Sequence, residues 1–427
     1  MRHSIFLIIF IVLLCIMPAQ SISITRNDNK IYQNYLTYDP SLNSDKIQTI
    51  LNTIDESLLR SYLEPLVDLA PRYTGTYGCE QAASFIRQQF TSMGLQTRYH
   101  EWSDFGNRYH PKYFTSQNVE ATLHGQTDDI ILFGAHYDTV ENVPGANDDG
   151  SGVAAVLASA YVLSQYTFNH TLKFVAFSGE EIGLKGSWAY AKEAYQNNDN
   201  IIYDFNADMI GHATTKEGGT SFRLSLTEDA TNMEDLFSMI NSITDLNFDF
   251  GTWMINRDGR GGSDYFPFAA YGYEAVAFWE GEHDPNMHTL QDDLSNINFS
   301  YLVNTTKLIT GALAYLADQQ THTPQIQIIS PKKQSVYRDN TFIESTEILK
   351  TIVVNDIIIK AETITKSDLT HVEFYYDDLL ATTDTNPPFS WHCNIHSLGQ
   401  HRITVTAYNK LGEKTTDYVD ILFINPI

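Results

Sequence analysis

Four apolar runs set the architecture of the middle of this chain: DDIILFGAH, TLKFVAFS, NIIYDFNADMIG and EAVAFWEG. Each is short and mostly unbroken, as expected for a strand buried on both faces. Helical patterns separate them, among them GVAAVLASAYVLSQY, GLKGSWAYAKEAYQ and TNMEDLFSMINSIT. FRLSLTE adds a further strand, and SYLVNTTKLITGALAYLADQQ closes the region as a strong helix. Strands alternating with helices predict an α/β domain with a mostly parallel central sheet flanked by helices. Binding residues in such sheets gather at the carboxyl ends of the strands.

The same domain extends toward the N-terminus. A helical pattern runs from about Lys46 through IQTILNTIDESLLRSYLEPLVDLA to Pro71. CEQAASFIRQQFTSMG reads as a second helix closed by Gly94, and LQTRYHEW and SQNVEATLHG alternate like strands. The pattern changes at Thr321-His322-Thr323-Pro324. Beyond it, QIQIIS, ILKTIVVN, IIIKAETI, THVEFYYDD, HRITVTAYN and TDYVDILFIN are short alternating runs divided by turn residues. They predict a C-terminal β-sandwich over residues 324–427, after an α/β domain over 46–320.

The N-terminus has a basic start at Arg2 and His3, then an unbroken apolar run from Ile5 to Met17, then Pro18 and Ala19-Gln20-Ser21. That run is short for a bilayer span, so residues 1–21 are expected to be a signal peptide. Residues 22–45 read as a polar leader. The expected mature protein is secreted or extracellular, or associated with the cell surface, with no stable membrane insertion. The formal net charge of -25 is spread along the chain and disfavours nucleic acid and anionic membranes as partners. Outside the signal, only Cys79 and Cys393 remain. They form either one disulfide or two buried thiols, and no disulfide scaffold in either case.

Chemistry-bearing residues fall where the sheet argument places a site. DDIILFGAH ends in His136-Tyr137-Asp138, TLKFVAFS runs into Glu180-Glu181, and NIIYDFNADMIG carries Asp208 near its end. EAVAFWEG is followed by EHDPNMHT with His288, and Asp148 lies in PGANDDGSG, twelve residues after His136. Each has an ordinary reading in isolation: a packed core histidine, a helix cap at Asp148 or Asp149, a turn aspartate, an exposed acidic loop. Their gathering at four strand ends argues for a site. Two imidazoles and several carboxylates without cysteine suit zinc or a related divalent ion. With Asp148, Glu181 and Asp208 as ligands, three negative charges and a hydroxide balance two zinc ions, and Asp148 is the natural bridge.

GAHYDTV, PGANDDGSG, FSGEEIGLKGS, DMIG and NMHTLQDD, in that order, resemble the zinc aminopeptidases with co-catalytic metals. That family also holds glutamate carboxypeptidases and glutaminyl cyclases. PRYTGTYGCEQAASFIRQQFTSMGLQ is similar to the family's opening segment. The resemblance covers about residues 46–320 and implies a zinc exopeptidase-like fold. It implies two Zn2+, or other divalent metals: one held by His136 and Asp208, the other by Glu181 and His288, with Asp148 bridging. Asp138 would orient the His136 ring, and Glu180 would be the general base. The expected reaction is removal of N-terminal residues from peptides.

Two positions depart from the family pattern. Met287 stands where many members carry tyrosine, and Tyr265 in GGSDYFPF is the candidate replacement as an oxyanion or substrate contact. Gly262 stands where some members carry arginine. Carboxypeptidase or glutaminyl cyclase action is the alternative, with Arg257 and Arg260 expected near the site as cations for a terminal carboxylate. A catalytically inactive surface-binding protein is the other alternative. The second domain resembles a bacterial-type immunoglobulin-like module, with THVEFYYDDLLATTDTNPPFSW and GQHRITVTAYNKLGEKTTD as its cues. It is expected to space the enzyme or to contact the cell surface or polysaccharide, with Trp391 and Tyr408 as core aromatics.

Overall fold

The computed structural model describes residues 44–230, 233–257, 262–319, 324, 326–345, 350–363, 369–409 and 414–426. The expected signal peptide, nearly all of the polar leader, and Arg260 lie outside the described residues.

The four apolar runs form the interior of an eight-stranded sheet. They are β3 (Ile130–His136), β4 (Thr171–Phe177), β5 (Ile201–Ala207) and β8 (Ala275–Glu280). β1 (Gln96–Phe105), β2 (Tyr113–Leu123), β6 (Ser221–Leu226) and β7 (Asp249–Met254) complete it, in the order β1-β2-β4-β3-β5-β8-β6-β7. β4, β3, β5 and β8 are mutually parallel. β3 is buried along its whole length, which explains why its sequence shows no alternation. The chain leaves β3 for β4 on one side and later β5 on the other, so β3 sits at the point where winding reverses. Crevices at such points hold sites.

The helices are α1 (Ser44–Leu51), α2 (Glu56–Asp68), α3 (Tyr77–Ser92), α4 (Gly150–Leu163), α5 (Lys185–Asn197), α6 (Met233–Thr244), α7 (Tyr265–Tyr271) and α8 (Phe299–Asp318). α4 is buried from Gly150 through Ala160, as its all-round apolar sequence requires. The single helical pattern expected from Lys46 to Pro71 is instead two helices. Asp55 accepts the Leu58 N–H and caps a new start, so a local side-chain bond interrupts a continuous apolar period. β7 and α7 gave no clear sequence signal. β7 is half-exposed throughout, and α7 is only seven residues long.

In the second domain a seven-stranded sheet faces a three-stranded one. Val372, Phe374, Val405, Ile421 and Phe423 pack against Ile328, Ile359 and Phe389 in its core. Trp391 packs against this core, with its ring 6.5 Å from that of Phe374. Tyr408 does not belong to it: half-buried, it stacks on His371 at 4.6 Å. The reason is strand parity, which sends Ile403, Val405 and Ala407 inward and Tyr408 outward. Gln327 of this domain donates to the Asn198 carbonyl at the end of α5, at 2.6 Å. Cys79 and Cys393 are both buried free thiols. Among the described residues no helix is long and apolar enough to cross a membrane.

Candidate metal centre

The strand ends deliver five side chains to one place. His136 is the last residue of β3, Glu180 and Glu181 follow β4, Asp208 follows β5, and His288 lies in the loop after β8. Asp148 stands just before α4. His136 Nε2 is 3.2 Å from Asp148 Oδ1 and 3.8 Å from Asp208 Oδ1. His288 Nε2 is 3.0 Å from Asp148 Oδ2 and 3.3 Å from Glu181 Oε2. Two groups therefore form, His136–Asp148–Asp208 and Asp148–Glu181–His288, each with donor atoms within 4.8 Å of one another. Asp148 offers one oxygen to each. His288 is 47% exposed on its side chain, whereas Asp148 is 7% exposed, so the centre opens on the His288 side.

The charge distribution asks for cations. Burial works against a charged His136, yet hydrogen bonding to Asp148 and Asp208 outweighs it and holds the imidazole well above its usual range. Hydrogen bonds to Asp148 and Glu181 raise His288 to about 10. Burial lifts Glu181 to about 7, with the Asp148 charge adding to it. Burial, then repulsion from Glu181, pushes Glu180 well above the carboxylate range. Protons here stand in for positive charge that the acids require. Glu181 Oε1 is moreover buried without a hydrogen-bond partner. An orphaned carboxylate oxygen among imidazole and carboxylate donors fits zinc or a similar divalent ion.

A surrounding frame fixes these groups. Asp149 caps α4 through the Gly152 N–H at 3.0 Å and also accepts the N–H groups of Met209 (3.1 Å) and His136 (3.2 Å). One buried carboxylate thus ties together the helix start and two strand ends. Asp292 accepts the N–H groups of Asn147 at 2.7 Å and Asp148 at 3.1 Å. Asn147 donates in turn to Glu280 and Asp284. Arg72 is fully buried and donates to the carbonyls of Tyr137 (2.7 Å), Leu66 (3.2 Å), Pro144 and Gly145 (both 2.8 Å). The sequence reading missed Arg72, Asn147 and Asp292 as functional residues. Their signal was present in the PRYTGT, PGAND and HTLQDD stretches, but nothing local shows that an arginine will bind carbonyls some seventy residues away.

Asp138 corrects one expectation. The His136 ring meets the backbone carbonyl of Asp138, at 3.1 Å from Nδ1, while the carboxylate stands 3.8 Å away. That carboxylate instead accepts the Thr74 hydroxyl at 2.7 Å and the Glu180 N–H at 3.2 Å. It holds the glutamate loop. Trp102 supports the same loop: its indole donates to Ser178 Oγ at 2.9 Å. Gly179 lies under the ring at φ +80°, where an added Cβ would come within 2.6 Å of it.

Arg257 corrects another. It donates to the carbonyls of Ala269 and Tyr273, each at 3.0 Å, and pairs with Glu274. β6 runs antiparallel to β8, and β7 runs parallel to β6. The chain is therefore carried to the opposite edge of the sheet before Arg257. Tyr265 is 9% exposed, with its ring edge-on to Trp279. Its hydroxyl accepts the Gly262 N–H at 3.2 Å and keeps its own proton free to donate. Met287 is 40% exposed beside His288.

Residues 118–313 match the model of peptidase family M28, and residues 324–405 that of a bacterial Ig domain. The chain carries an M28 peptidase domain followed by a bacterial Ig domain. The chain is 24% identical over 312 residues to leucine aminopeptidase 1 of Ajellomyces capsulatus, covering 67% of itself and 77% of that protein. It is 31% identical over 208 residues to aminopeptidase YwaD of Bacillus subtilis, covering 47% of itself and 44% of that relative. An aminopeptidase structure from Aneurinibacillus sp. superposes with a TM-score of 0.55 at 22% identity, over 64% of this chain and 96% of the other. The glutaminyl cyclase of Porphyromonas gingivalis has the same fold, with a TM-score of 0.52 at 16% identity, over 61% of this chain and 98% of the other. The M28 domain is thus aminopeptidase-like, with a zinc exopeptidase-like sheet and a candidate metal centre.

Proposed function

We propose that the chain is an exported aminopeptidase that removes N-terminal residues from peptides with two zinc ions in its centre. The observation that carries this reading is the sharing of Asp148 between two donor groups, with Glu180 beside them. Bound there, two divalent ions would polarise the scissile carbonyl and lower the pKa of the attacking water. His136 and Asp208 would hold one ion, Glu181 and His288 the other, and Asp148 both.

The chain's own residues do the rest. Glu180 takes the proton of the attacking water and delivers it to the leaving amine. Its loop is held by Asp138 and Trp102, so the carboxylate need not be reoriented during the reaction. The surplus of acid at Asp148, Asp208, Glu180 and Glu181 recognises the α-ammonium group of a free N-terminus, which favours exopeptidase action. The Tyr265 hydroxyl meets the developing oxyanion, the task Met287 lacks a donor for. Arg257 is occupied by carbonyls, which weighs against a carboxypeptidase. The Ig domain acts as a spacer or a contact to the cell surface or polysaccharide.

A panel of aminoacyl substrates beside N-blocked and C-terminal-glutamate peptides tests the reading, with and without chelator. Free N-termini are cleaved and blocked ones are not, and chelator abolishes the activity. Equal cleavage of blocked peptides, or cyclisation of N-terminal glutamine without hydrolysis, would overturn it.

A further inference from the structure

Ser397, His401 and Asp377 of the Ig domain stand in one hydrogen-bonded line. Ser397 Oγ lies 2.7 Å from His401 Nε2, and His401 Nδ1 lies 2.6 Å from Asp377 Oδ2. The other Asp377 oxygen accepts the Arg402 N–H at 2.9 Å, which fixes the carboxylate. A carboxylate on Nδ1 holds the ring proton there, so Nε2 is left to accept the serine O–H. Nucleophile, base and orienting acid thus follow one another as acyl transfer requires.

Strand parity builds the line. Ser397, Gly399 and His401 alternate along the strand Ser397–Asn409 and share one face. Asp377 lies in the turn between the strands Leu369–Tyr376 and Leu379–Asp384. Its N–H donates to the Arg402 carbonyl at 3.0 Å, so the turn is held against the strand. Gly399 sits between the serine and the histidine at φ +134°. A Cβ added there would have one neighbour within 4 Å, His401 Nε2 at 3.7 Å, so space beside the Ser397–His401 bond is open. Tyr376 walls that space, its ring stacked on the imidazole at 4.8 Å. Leu379 is its partner across the two strands and is 74% exposed. Burial raises the Tyr376 hydroxyl above its usual range, against a pull from the neighbouring Ser397 hydroxyl. That buried hydroxyl has no hydrogen-bond partner and keeps a proton to donate. A polar staple between turn and strand would explain the two short hydrogen bonds, but neither the open space nor the unused donor.

We propose that Ser397, His401 and Asp377 form a serine esterase site in the Ig domain, taking esters with an apolar group that Tyr376 and Leu379 cover. Ser397 Oγ bonds to the acyl carbon as its proton passes to His401 Nε2. The ester C–O bond breaks, and His401 gives that proton to the departing alcohol. Water then attacks the acyl-serine: His401 takes the water proton and returns it to Ser397 Oγ as the carboxylic acid leaves. Asp377 steadies the imidazolium in both halves, and the Tyr376 hydroxyl donates to the oxyanion. The site needs no metal and does not rest on the aminopeptidase reading.

The test treats the full chain, zinc bound, with an alkyl fluorophosphonate. Its phosphorus stands in for the acyl carbon, and fluoride leaves. Peptide mapping is expected to find the label on Ser397, at a rate that chelator does not change. His401→Gln should slow labelling by about 10²-fold or more, the scale of general-base catalysis. No label on Ser397 in the wild type, or equal labelling in His401→Gln, overturns the proposal. Should His401→Gln fail to fold, hydrolysis of p-nitrophenyl butyrate by wild type and Ser397→Ala, both in chelator, decides the matter. A fall of about 10²-fold in the variant supports the site, and equal rates overturn it.

Discussion

The backbone N–H of Glu180 donates to the carboxylate of Asp138 at 3.2 Å. The residue two positions after the His136 imidazole therefore positions the base, and its carbonyl, rather than its carboxylate, turns the ring. Replacing Asp138 by alanine leaves the carbonyl in place and frees the glutamate loop. The expected result is a fall in kcat of about 10- to 100-fold, the range found for groups that support a metal site. Zinc content should stay near that of the wild type. Loss of zinc without loss of kcat per bound zinc would show that the carboxylate serves the metal instead.

Tyr265 is assigned the oxyanion contact because its hydroxyl accepts the Gly262 N–H and retains a proton. Tyr265→Phe should lower kcat by about 10²-fold with little change in KM, as for other single oxyanion donors. An unchanged kcat would leave the oxyanion to the metals alone.

Arg72 is expected to be a stability determinant. Its guanidinium serves four carbonyls that bracket the metal-centre loop. Arg72→Met leaves these carbonyls buried without donors and should cost ~3 kcal/mol or more in urea unfolding. Arg72→Lys should recover little, because one ammonium cannot reproduce the planar fork. Full recovery by lysine would mean that charge alone matters there.

Metal-free protein should lose stability as pH rises. Burial raises Glu181 and Asp264 each to about 7, and hydrogen bonds to carboxylates raise His288 to about 10. A folded-state pKa above the unfolded value means that the folded chain holds extra protons, so the stabilisation is full below the unfolded pKa and drains as pH climbs. Asp148 acts oppositely: His136 and His288, working against burial, hold it low, so its contribution is lost only in strong acid. The thermal midpoint of the metal-free protein should therefore fall between about pH 5 and about pH 8. Zinc should reverse that slope, since its ligands must be deprotonated. Calorimetry with and without zinc reads both slopes, and a rise in the metal-free protein would contradict the assignment.

Much of this was legible in the sequence, for physical reasons. Strands buried on both faces write themselves as apolar runs, and their ends are where an α/β sheet puts chemistry, so His136, Asp148, Glu181, Asp208 and His288 could be found before their distances were seen. The frame around them was less legible. Arg72 and Asp292 act on backbone groups far away in sequence, and no local period records such bonds. β7 hid because an exposed edge strand needs no apolar face. That same strand carried Arg257 away from the site, against the expectation drawn from its proximity in sequence. The task expected of the Asp138 carboxylate falls instead to its backbone carbonyl, which meets the His136 ring.

The measurement that bears most directly on the central claim is turnover by Glu180→Gln at full zinc loading, with metal content determined on the same sample. The account predicts a loss of peptide hydrolysis of about 10²- to 10⁴-fold or more, the scale of general-base catalysis, with two zinc ions still bound per chain. Wild-type turnover in that variant, or a fully loaded wild type that holds a single zinc, would contradict it.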